Sequence, residues 1–538
     1  MMIETAVWTE HNTNILDKEG TGMFSRAISA VLMGIEGVPV YVEADVSYGL
    51  PYFDMVGSLA SEVKEARERV RTAIRNAGFD LEARKIIVNL SPADLHKSGS
   101  SYDLAIAAAV LTAYGLIRPS ALDSTLFAGE LGLDGSVRPI NGVLPIVLTA
   151  EQEKIRRCIV PRGNAYEGAA ASGPLVYGVS TLREMVEFLN GNLQLQPAQE
   201  AAGPGYSPAY GEEVDFSQLR GQHVLKRSLE IAASGRHNLL MVGPPGSGKS
   251  MAARRLPSIL PALTRQEQLE ISRIYSAAGF LEADKGLVRD RPFRSPHHTI
   301  TASALAGGGS MPRPGEVSLA HRGVLFLDEF TEFDKNAMET LRQPLEEGKI
   351  TISRQKLSCE FPAGFMLVAA INPCACGYYP DLSKCRCTPL QIQRYIGRIS
   401  RPLMDRIDLT VHIGRVSIEM LQKKEEEESS ARIRERVQRA WEIQKERFKG
   451  TGCSCNAGIP GKDMERYCSL GQQEQSYMQS IYSSYGLSAR SYHKILKVAR
   501  TIADLEGADQ IRQKHLAEAV FYKSLDHTYW DGPSRRYA

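Results

Sequence analysis

The sequence predicts a multidomain α/β protein with an N-terminal α/β domain, a parallel-sheet P-loop core and a C-terminal helical lid. Short apolar runs alternate with helical periodicity, and a glycine-rich loop joins one such run to a helix. At roughly 150 residues per domain, the 538 residues suffice for three or four units. The expected division is 1–22 (a disordered extension), 23–190 (first domain), 191–213 (linker), 214–416 (core) and 417–538 (lid).

The composition excludes several classes of protein. Apolar residues make up 43% and charged residues 23%, which excludes global disorder. Lys and Arg number 64 against 62 Asp and Glu, so with a net charge of +2 any binding of nucleic acid needs a local basic surface. The sequence shows neither a long apolar run nor a basic start followed by an apolar segment. We therefore expect a cytoplasmic protein without a membrane span.

In the first domain, residues 61–78 space apolar side chains three and four apart between charges, which predicts an amphipathic helix. The apolar run at 85–90 predicts a strand, and the almost wholly apolar segment 101–115 predicts a buried helix. Residues 190–213 are rich in Gly, Pro, Gln and Ala without periodicity, as linkers are.

The segment GPPGSGKS at 243–250 is the strongest motif. It follows the apolar strand 237–242 and precedes a helix, which is the context that the GxxxxGK[ST] pattern requires. In this pattern the glycines let backbone N–H groups surround phosphate oxygens, while Lys249 neutralises phosphate charge and Ser250 ligates Mg²⁺. The predicted ATP-binding residues are Gly243, Pro244, Pro245, Gly246, Ser247, Gly248, Lys249 and Ser250.

Two other apolar strands end in polar residues. The strand 324–327 is followed by Asp328 and Glu329, and the strand 365–371 by Asn372. Because the carboxyl ends of parallel strands share one edge of a sheet, we expect these side chains beside the P-loop. Asp328 is expected to hold Mg²⁺ through water, and Glu329 to activate the attacking water. Asn372 can orient that water, or it merely ends its strand.

The chain beyond the core is helical, and we interpret the acidic run 425–428 as a solvated helix face. Two arginines are candidates for contacts with phosphate. Arg406 lies among apolar neighbours, and Arg490 lies in the first turn of a helix with Ser488 as its predicted N-cap. Simple salt bridges are the alternative for both arginines.

A series of ordered motifs carries a family resemblance. The motifs are MFSRAISAVLMGIEGVPVYVEADVS, GQHVLKRSLEIAASGRHNLLMVGPPGSGKS, RSPHHTITASALAGGG, PGEVSLAHRGVLFLDEF, LRQPLEEGKITISR and RPLMDRIDL. Together they resemble the ComM (YifB) family of magnesium-chelatase-like AAA+ ATPases, which are linked to DNA branch migration in natural transformation. The resemblance covers about residues 23–525 and implies Met23 as the working start.

The resemblance implies a role for each candidate: Lys249 and Ser250 as Walker A, Asp328 and Glu329 as Walker B, Asn372 as sensor one, Arg406 as arginine finger and Arg490 as sensor two. A finger from a neighbouring subunit implies a ring, a hexamer in this family. The implied activity is ATP hydrolysis coupled to translocation or branch migration on single-stranded or branched DNA. A chelatase-type motor subunit and a nucleotide-gated scaffold remain alternatives.

The first domain resembles the Lon-protease fold in its non-proteolytic form. Ser101 falls at the position of the Lon nucleophile, but the segment PINGVLPI at 139–146 has Ile where Lon keeps its catalytic Lys. A serine without an activating amine is a weak nucleophile, so a peptidase is disfavoured. We interpret Ser101 as a helix cap and the domain as an assembly or DNA-contacting module.

Two segments are candidates for binding DNA. Residues 349–361 predict a β-hairpin whose tip carries Arg354 and Lys356, and in related rings such a hairpin points into the central pore. An ordinary solvated tip is the alternative. The flexible, glycine-rich segment 303–316 with Arg313 is a pore loop or a surface loop.

Four cysteines form two C-x-C pairs directly after the sensor-one strand: Cys374, Cys376, Cys385 and Cys387. Four thiolates satisfy tetrahedral zinc, although C-x-C is tighter than the usual spacing, and reduced thiols are the alternative. His297 and His298 are not predicted to bind a metal, because neighbours on a strand point to opposite faces. A role near DNA or a ring interface is expected for this pair.

Overall fold

The computed structural model describes residues 23–200, 214–282, 286–309, 311–354, 357–415 and 427–530, with only the backbone at 354, 357 and 524–530. The chain divides into two compact units. The first contains Met1–Gly205 with Tyr275–Leu287, and the second contains Tyr206–Ile274 with Val288–Ala538. Within the first unit, Ser276 donates a hydrogen bond to the buried carboxylate of Glu167, which anchors the segment that comes from the middle of the chain.

The first unit is built on a mixed seven-stranded sheet. Its long strands β1 (Met23–Met33) and β2 (Glu36–Ser47) pair antiparallel along their whole length, from Met23↔Val46 to Met33↔Glu36. The remaining strands of this unit are β3 (Tyr52–Val56), β4 (Lys85–Ser91), β5 (Thr125–Phe127), β6 (Glu130–Leu131), β7 (Val137–Arg138), β8 (Arg157–Pro161) and β9 (Leu175–Val179). The strand order in the sheet is β3-β4-β2-β1-β5-β8-β9.

Helices pack on this sheet with the burial that their sequences predict. The five are α1 (Ser61–Asn76), α2 (Asp103–Ala113), α3 (Val143–Gln152), α4 (Ala165–Gly168) and α5 (Leu182–Leu189). Helix α2 is apolar on nearly every face, and all of its residues are buried.

The prediction that Ser101 caps α2 is wrong: Tyr102 is the N-cap residue and no side chain caps the helix. The backbone oxygen of Ser101 instead accepts a hydrogen bond from the Gly129 N–H at 2.9 Å.

The second unit contains a five-stranded, wholly parallel sheet in the order β11-β14-β17-β10-β18. Its strands are β10 (Leu239–Val242), β11 (Phe293–Arg294), β14 (Val324–Leu327), β17 (Met366–Ile371) and β18 (Leu409–His412). The apolar strands β10, β14 and β17 are buried along their whole length, as central strands covered on both faces are. With β10 between β17 and β18, the carboxyl edge of β10 is the place where ligands bind in such sheets.

Small hairpins complete the strand inventory of the described residues. They pair β12 (Gly307–Gly308) with β13 (Arg313–Pro314), and β15 (Lys349–Arg354) with β16 (Leu357–Pro362). The predicted hairpin at 349–361 is therefore confirmed. Within the segment 303–316, β12 and β13 pair where Gly307 and Gly315 let two backbones approach so closely that a Cβ would collide with them. Whether the segment is a pore loop or a surface loop stays a prediction.

Helices account for much of the rest of the second unit, except that the helix Arg265–Ala278 continues into the first unit from Tyr275 on. They are α6 (His223–Gly235), α7 (Lys249–Arg255), α8 (Arg265–Ala278), α9 (Ala302–Ala306), α10 (Glu316–Leu319), α11 (Lys335–Thr340), α12 (Arg342–Glu347), α13 (Pro389–Ile396), α14 (Arg401–Met404), α15 (Ser430–Arg447), α16 (Met464–Tyr467), α17 (Gln472–Tyr485), α18 (Ala489–Leu505) and α19 (Gln513–Trp530). The predicted cap of α18 is confirmed, since Ser488 accepts a hydrogen bond from the Ser491 N–H. In the part of the chain that the structure describes, no helix combines the length and apolar content that a membrane span needs.

Glu427 and Glu428, the described part of the acidic run before α15, do not form a solvated helix face. Residues 425 and 426 lie outside the described residues. Glu427 pairs with Lys226 at 2.5 Å and Glu428 with Arg436 at 2.5 Å, and both glutamates precede the helix. The prediction is wrong for these two residues because Lys226, 201 residues away, holds Glu427, and Arg436 of the following helix holds Glu428.

Candidate nucleotide-binding site

The P-loop leaves the carboxyl end of β10 and turns directly into α7. Gly246 and Gly248 have φ angles of +75° and +89°, a region that side chains with a Cβ rarely adopt. A Cβ at either glycine would meet no atom within 4 Å. The glycines therefore shape an open turn at the amino end of a helix, where backbone N–H groups attract anions.

Lys249 and Asn372 meet at this turn. The Lys249 Nζ donates to the Gly243 oxygen at 2.6 Å, to the Pro244 oxygen at 2.9 Å and to Asn372 Oδ1 at 3.3 Å. Burial lowers the pKa of Lys249, and the charges of Asp328 and Glu329 oppose that shift. The ammonium group is thus held where an incoming anion can take over some of its hydrogen bonds.

The carboxyl ends of β14 and β17 lie beside the P-loop, as predicted. Ser250 Oγ donates to Asp328 Oδ2 at 2.5 Å, which joins the start of α7 to the end of β14. A hydroxyl beside a carboxylate is an oxygen pair that suits Mg²⁺. The residues Lys249, Ser250, Asp328, Glu329 and Asn372 all line one cavity of about 430 Å³.

Two observations test whether a nucleotide fits this cavity. Ser247 Oγ is buried, and among the described residues it has no hydrogen-bond partner. The cavity brings this free hydroxyl together with the glycine turn, an ammonium group and two carboxylates. Oxygen-rich anions with a bound divalent cation satisfy such a set, so the residues present fit a magnesium nucleotide.

Glu329 has a contact that the sequence did not predict. Its backbone adopts φ = 50°, and its N–H donates to Asp328 Oδ1 at 3.0 Å. His298 Nδ1 lies 3.3 Å from Glu329 Oε2. The prediction that His297 and His298 point in opposite directions is wrong: they lie in a loop, where their rings are 4.1 Å apart. The motif SPHHT was the only signal of a role near the site.

A second cavity of about 520 Å³ adjoins the P-loop at residues 245–248. Leu219, Leu225 and Arg415 contribute to its walls. Gln222 Nε2 donates to the Gly414 oxygen at 2.9 Å, which ties the chain before α6 to the segment after β18. This mixed apolar and polar pocket suits a nucleotide base, and no sequence motif had indicated it.

Arg406 and Arg490 do not line either cavity; both lie near Glu346. Arg406 Nη2 donates to Glu346 Oε2 at 2.6 Å, and Arg490 Nη1 lies 3.4 Å from Asp405 Oδ2. The hydrogen bond from Arg406 lowers the pKa of Glu346, and the charge of Arg490 adds to that effect. The two predicted arginines therefore share one surface.

Asp408 fixes the segment that carries Arg406. Its carboxylate accepts a hydrogen bond from the Asn238 N–H at 3.1 Å and lies 3.3 Å from Lys494 Nζ and 3.5 Å from His237 Nδ1. Burial alone would raise the pKa of Asp408, but these partners outweigh burial and lower it. Since Lys494 belongs to α18, Asp408 also connects the Arg406 segment to the helix of Arg490.

The four cysteines converge after β17. Their sulfur atoms all lie within 4.8 Å of one another, with Cys374 buried and the others partly buried.

The predicted DNA contacts are only partly described. Arg313 is exposed in β13. Arg354 ends β15, but its side chain and the whole of Lys356 lie outside the described residues. Their contact with DNA stays a prediction.

The order of the strands in the parallel sheet and the polar residues at their carboxyl ends define the class of protein. Numbered along the chain, the parallel strands lie in the order 2-3-4-1-5 with the P-loop after the first, which is an AAA+-like nucleotide-binding core. The family described as "Magnesium chelatase, subunit ChlI" matches residues 215–421. Two further descriptions, "Subunit ChlI of Mg-chelatase" and "Magnesium chelatase, subunit ChlI C-terminal", match 42–164 and 427–523.

Known proteins define the family within this class. Competence protein ComM of Haemophilus influenzae is 42% identical over 499 residues, which are 92% of this chain and 97% of that protein. Protein YifB of Salmonella typhimurium is 41% identical over 497 residues, 92% of this chain and 96% of that protein. The chain belongs to the ComM/YifB family. The magnesium-chelatase 38 kDa subunit of Cereibacter sphaeroides is 22% identical over 334 residues, 58% of this chain and 91% of that protein.

Proposed function

We propose that this protein is a ring-forming ATPase of the cytoplasm that couples ATP hydrolysis to movement along DNA. Branch migration of DNA in natural transformation or recombination is the proposed setting. One observation carries the ATPase assignment: a single edge of the parallel sheet brings together Lys249, Ser250, Asp328, Glu329 and Asn372 around one cavity. A nucleotide-binding protein without hydrolysis has no need of a second carboxylate at this edge.

Each residue takes a defined task in the proposed reaction. Lys249 binds the terminal phosphates, and Ser250 with Asp328 would hold Mg²⁺, which when bound neutralises phosphate charge. Glu329 accepts the proton of the attacking water, and Asn372 orients that water. His298, 3.3 Å from Glu329, positions the carboxylate of the base.

Arg406 and Arg490 are proposed to act on the nucleotide of a neighbouring subunit. Neither arginine lines the nucleotide cavity of its own subunit, and both lie on one surface near Glu346, which supports this assignment. Heterologous contacts of this kind close into rings, and a homohexamer is the proposed assembly. Hydrolysis would then depend on assembly.

The proposed DNA partner rests on the family and on local basic residues. The relative from Haemophilus influenzae is named a competence protein. The β15–β16 hairpin and the exposed Arg313 are proposed to contact DNA phosphates. Such contacts do not depend on the DNA sequence, and the affinity they give falls as the salt concentration rises.

Two further assignments complete the proposal. The first unit is proposed to be a non-proteolytic, Lon-protease-like module, which a fluorogenic peptide assay without turnover would support. The four cysteines from Cys374 to Cys387 are proposed to hold one structural Zn²⁺, because four protein ligands leave no position for a substrate water.

A chelatase-type motor subunit is the second candidate, favoured by the three family matches with chelatase descriptions. The two candidates differ in their response to DNA. Purified protein would be assayed for ATP hydrolysis with and without single-stranded DNA, and for strand release from a synthetic four-way junction followed on a gel. Stimulation by DNA together with ATP-dependent release is expected. ATP turnover indifferent to DNA, with no release, would overturn the DNA motor and leave the chelatase candidate.

A further inference from the structure

The geometry of the four sulfur atoms is that of a metal site. Cys374 Sγ lies 3.3 Å from Cys376 Sγ and 3.8 Å from Cys385 Sγ, and Cys376 Sγ lies 3.6 Å from Cys385 Sγ. A tetrahedral zinc with Zn–S bonds of about 2.3 Å places its sulfur ligands about 3.8 Å apart. A disulfide would need about 2.05 Å. The three distances are close to this spacing, and the Cys387 sulfur lies within 4.8 Å of the other three, so four ligands fit around one ion.

The connector between the two C-x-C pairs is the segment 377–384, and its residues 380–384 are all exposed. Its members include Leu382, which is 78% exposed, and the exposed pair Lys384–Asp381. Backbone hydrogen bonds shape its two ends, from Gly377 N to the Cys374 oxygen at 2.9 Å and from Cys385 N to the Asp381 oxygen at 2.8 Å. Without a buried apolar core, a metal is the natural source of order for this connector.

The same connector lies against the nucleotide loop. Gly377 has φ = +80°, and a Cβ on it would come within 2.6 Å of Pro245 Cδ. On its other side, the ring of Tyr378 faces the guanidinium of Arg415 at 5.4 Å, and Arg415 lines the cavity suited to a base. The cluster also begins two residues after Asn372, which hydrogen-bonds Lys249. Two contacts and a chain connection of two residues thus join the cysteine cluster to the nucleotide site.

We propose that the zinc held by the four cysteines stabilises the nucleotide site. The metal holds the connector in contact with Pro245 and Arg415. Loss of the metal therefore weakens nucleotide binding. The inference rests on the proposed nucleotide and zinc sites and adds a coupling between them. The metal takes no part in the reaction. It acts by position alone, because its ligands are all protein sulfurs.

The first measurement is metal content, on the full-length protein incubated with ZnCl₂ and then desalted. Elemental analysis should find about one zinc per chain, and Co²⁺ in its place should give the visible absorption of tetrahedral thiolate cobalt. Cys385→Ser should lose this metal. Cys455→Ser, which changes a partly buried cysteine outside the cluster, should keep it.

The second measurement is the affinity for a fluorescent ATP analogue, read as binding and not as turnover. Cys385→Ser is expected to bind the analogue about tenfold more weakly than the parent protein, as for other changes that loosen the support of a site. Gly377→Ala should also weaken binding, because the new Cβ displaces Pro245. Gly450→Ala is the matched control: Gly450 has φ = +74°, but a Cβ there meets nothing within 4 Å.

The outcomes separate this inference from the functions on which it rests. Protein that takes up neither zinc nor cobalt overturns the metal site, whereas the nucleotide site stands if the analogue still binds. Zinc-loaded protein that binds no nucleotide overturns the ATPase proposal. If Cys385→Ser loses its zinc and yet binds the analogue with unchanged affinity, the coupling between the zinc and nucleotide sites is refuted, while both sites remain.

Discussion

Replacing Arg406 with Ala is expected to leave the fold intact and to abolish most ATP hydrolysis. The change breaks the ion pair with Glu346, in which Arg406 is 19% exposed and Glu346 62% exposed. A pair this open to water stabilises a fold by less than about 1 kcal/mol. Arg84→Ala is the matched control, because the Arg84–Glu82 pair has side chains 21% and 72% exposed and lies in the first unit.

The expected loss of rate is much larger than this loss of stability. An arginine finger accelerates nucleotide hydrolysis by about 10³- to 10⁵-fold, or roughly 4 to 7 kcal/mol of activation free energy. Thermal unfolding should therefore shift little, and a fluorescent ATP analogue should still bind, while turnover at saturating ATP falls to the detection limit. Arg84→Ala should keep normal turnover.

Mixing variants tests whether the finger acts between subunits. Arg406→Ala retains an intact P-loop, and Lys249→Ala retains an intact finger. In a random one-to-one mixture, about one interface in four combines both, so roughly a quarter of the parent turnover should return. The reasoning is refuted if native mass spectrometry finds mixed rings and the mixture hydrolyses ATP no faster than its components.

Three further variants have separate expected outcomes. Glu329→Gln should bind ATP normally and hydrolyse it about 10²- to 10⁴-fold more slowly, because the attacking water loses its base. Arg354→Ala combined with Lys356→Ala should weaken DNA binding and reduce the slope of log affinity against log salt by about 2, as measured by titration at several salt concentrations. Asp408→Asn should destabilise the protein by about 3 kcal/mol at neutral pH, because the partly buried ammonium group of Lys494 loses its carboxylate.

Each of these outcomes has a control or a contradicting result. Turnover of Glu329→Gln within a few-fold of the parent would remove Glu329 from the mechanism. If the slope of log affinity against log salt is unchanged in the Arg354 and Lys356 variant, Arg313 becomes the proposed DNA contact instead. For Asp408, whose pKa is lowered in the fold, the stabilising charge is complete above the unfolded-state pKa of about 4 and is lost as the pH falls below it. The difference in melting temperature between Asp408→Asn and the parent should therefore shrink in acid, whereas Glu446→Gln, which changes an exposed pair, should matter at no pH.

Local spacing in the sequence was enough to predict the parts of the nucleotide site. A glycine turn between a strand and a helix, and polar residues at the ends of apolar strands, predict their own geometry, because side-chain direction and strand polarity follow from a few neighbouring residues. The helix Asp103–Ala113 and the cap at Ser488 were predicted for the same reason. The cysteine spacing likewise indicated a possible metal ligand set.

Only the tertiary structure decided which distant groups meet. It brought His298 to Glu329, set Arg406 and Arg490 around Glu346, and laid Gly377 against Pro245. It also assigned Tyr275–Leu287 to the first unit and paired Glu427 with Lys226. Such contacts join residues far apart in the sequence through loops whose paths depend on the packing of the whole unit. No local pattern carries that information, because the free energy that selects each contact comes from the surfaces that fold around it.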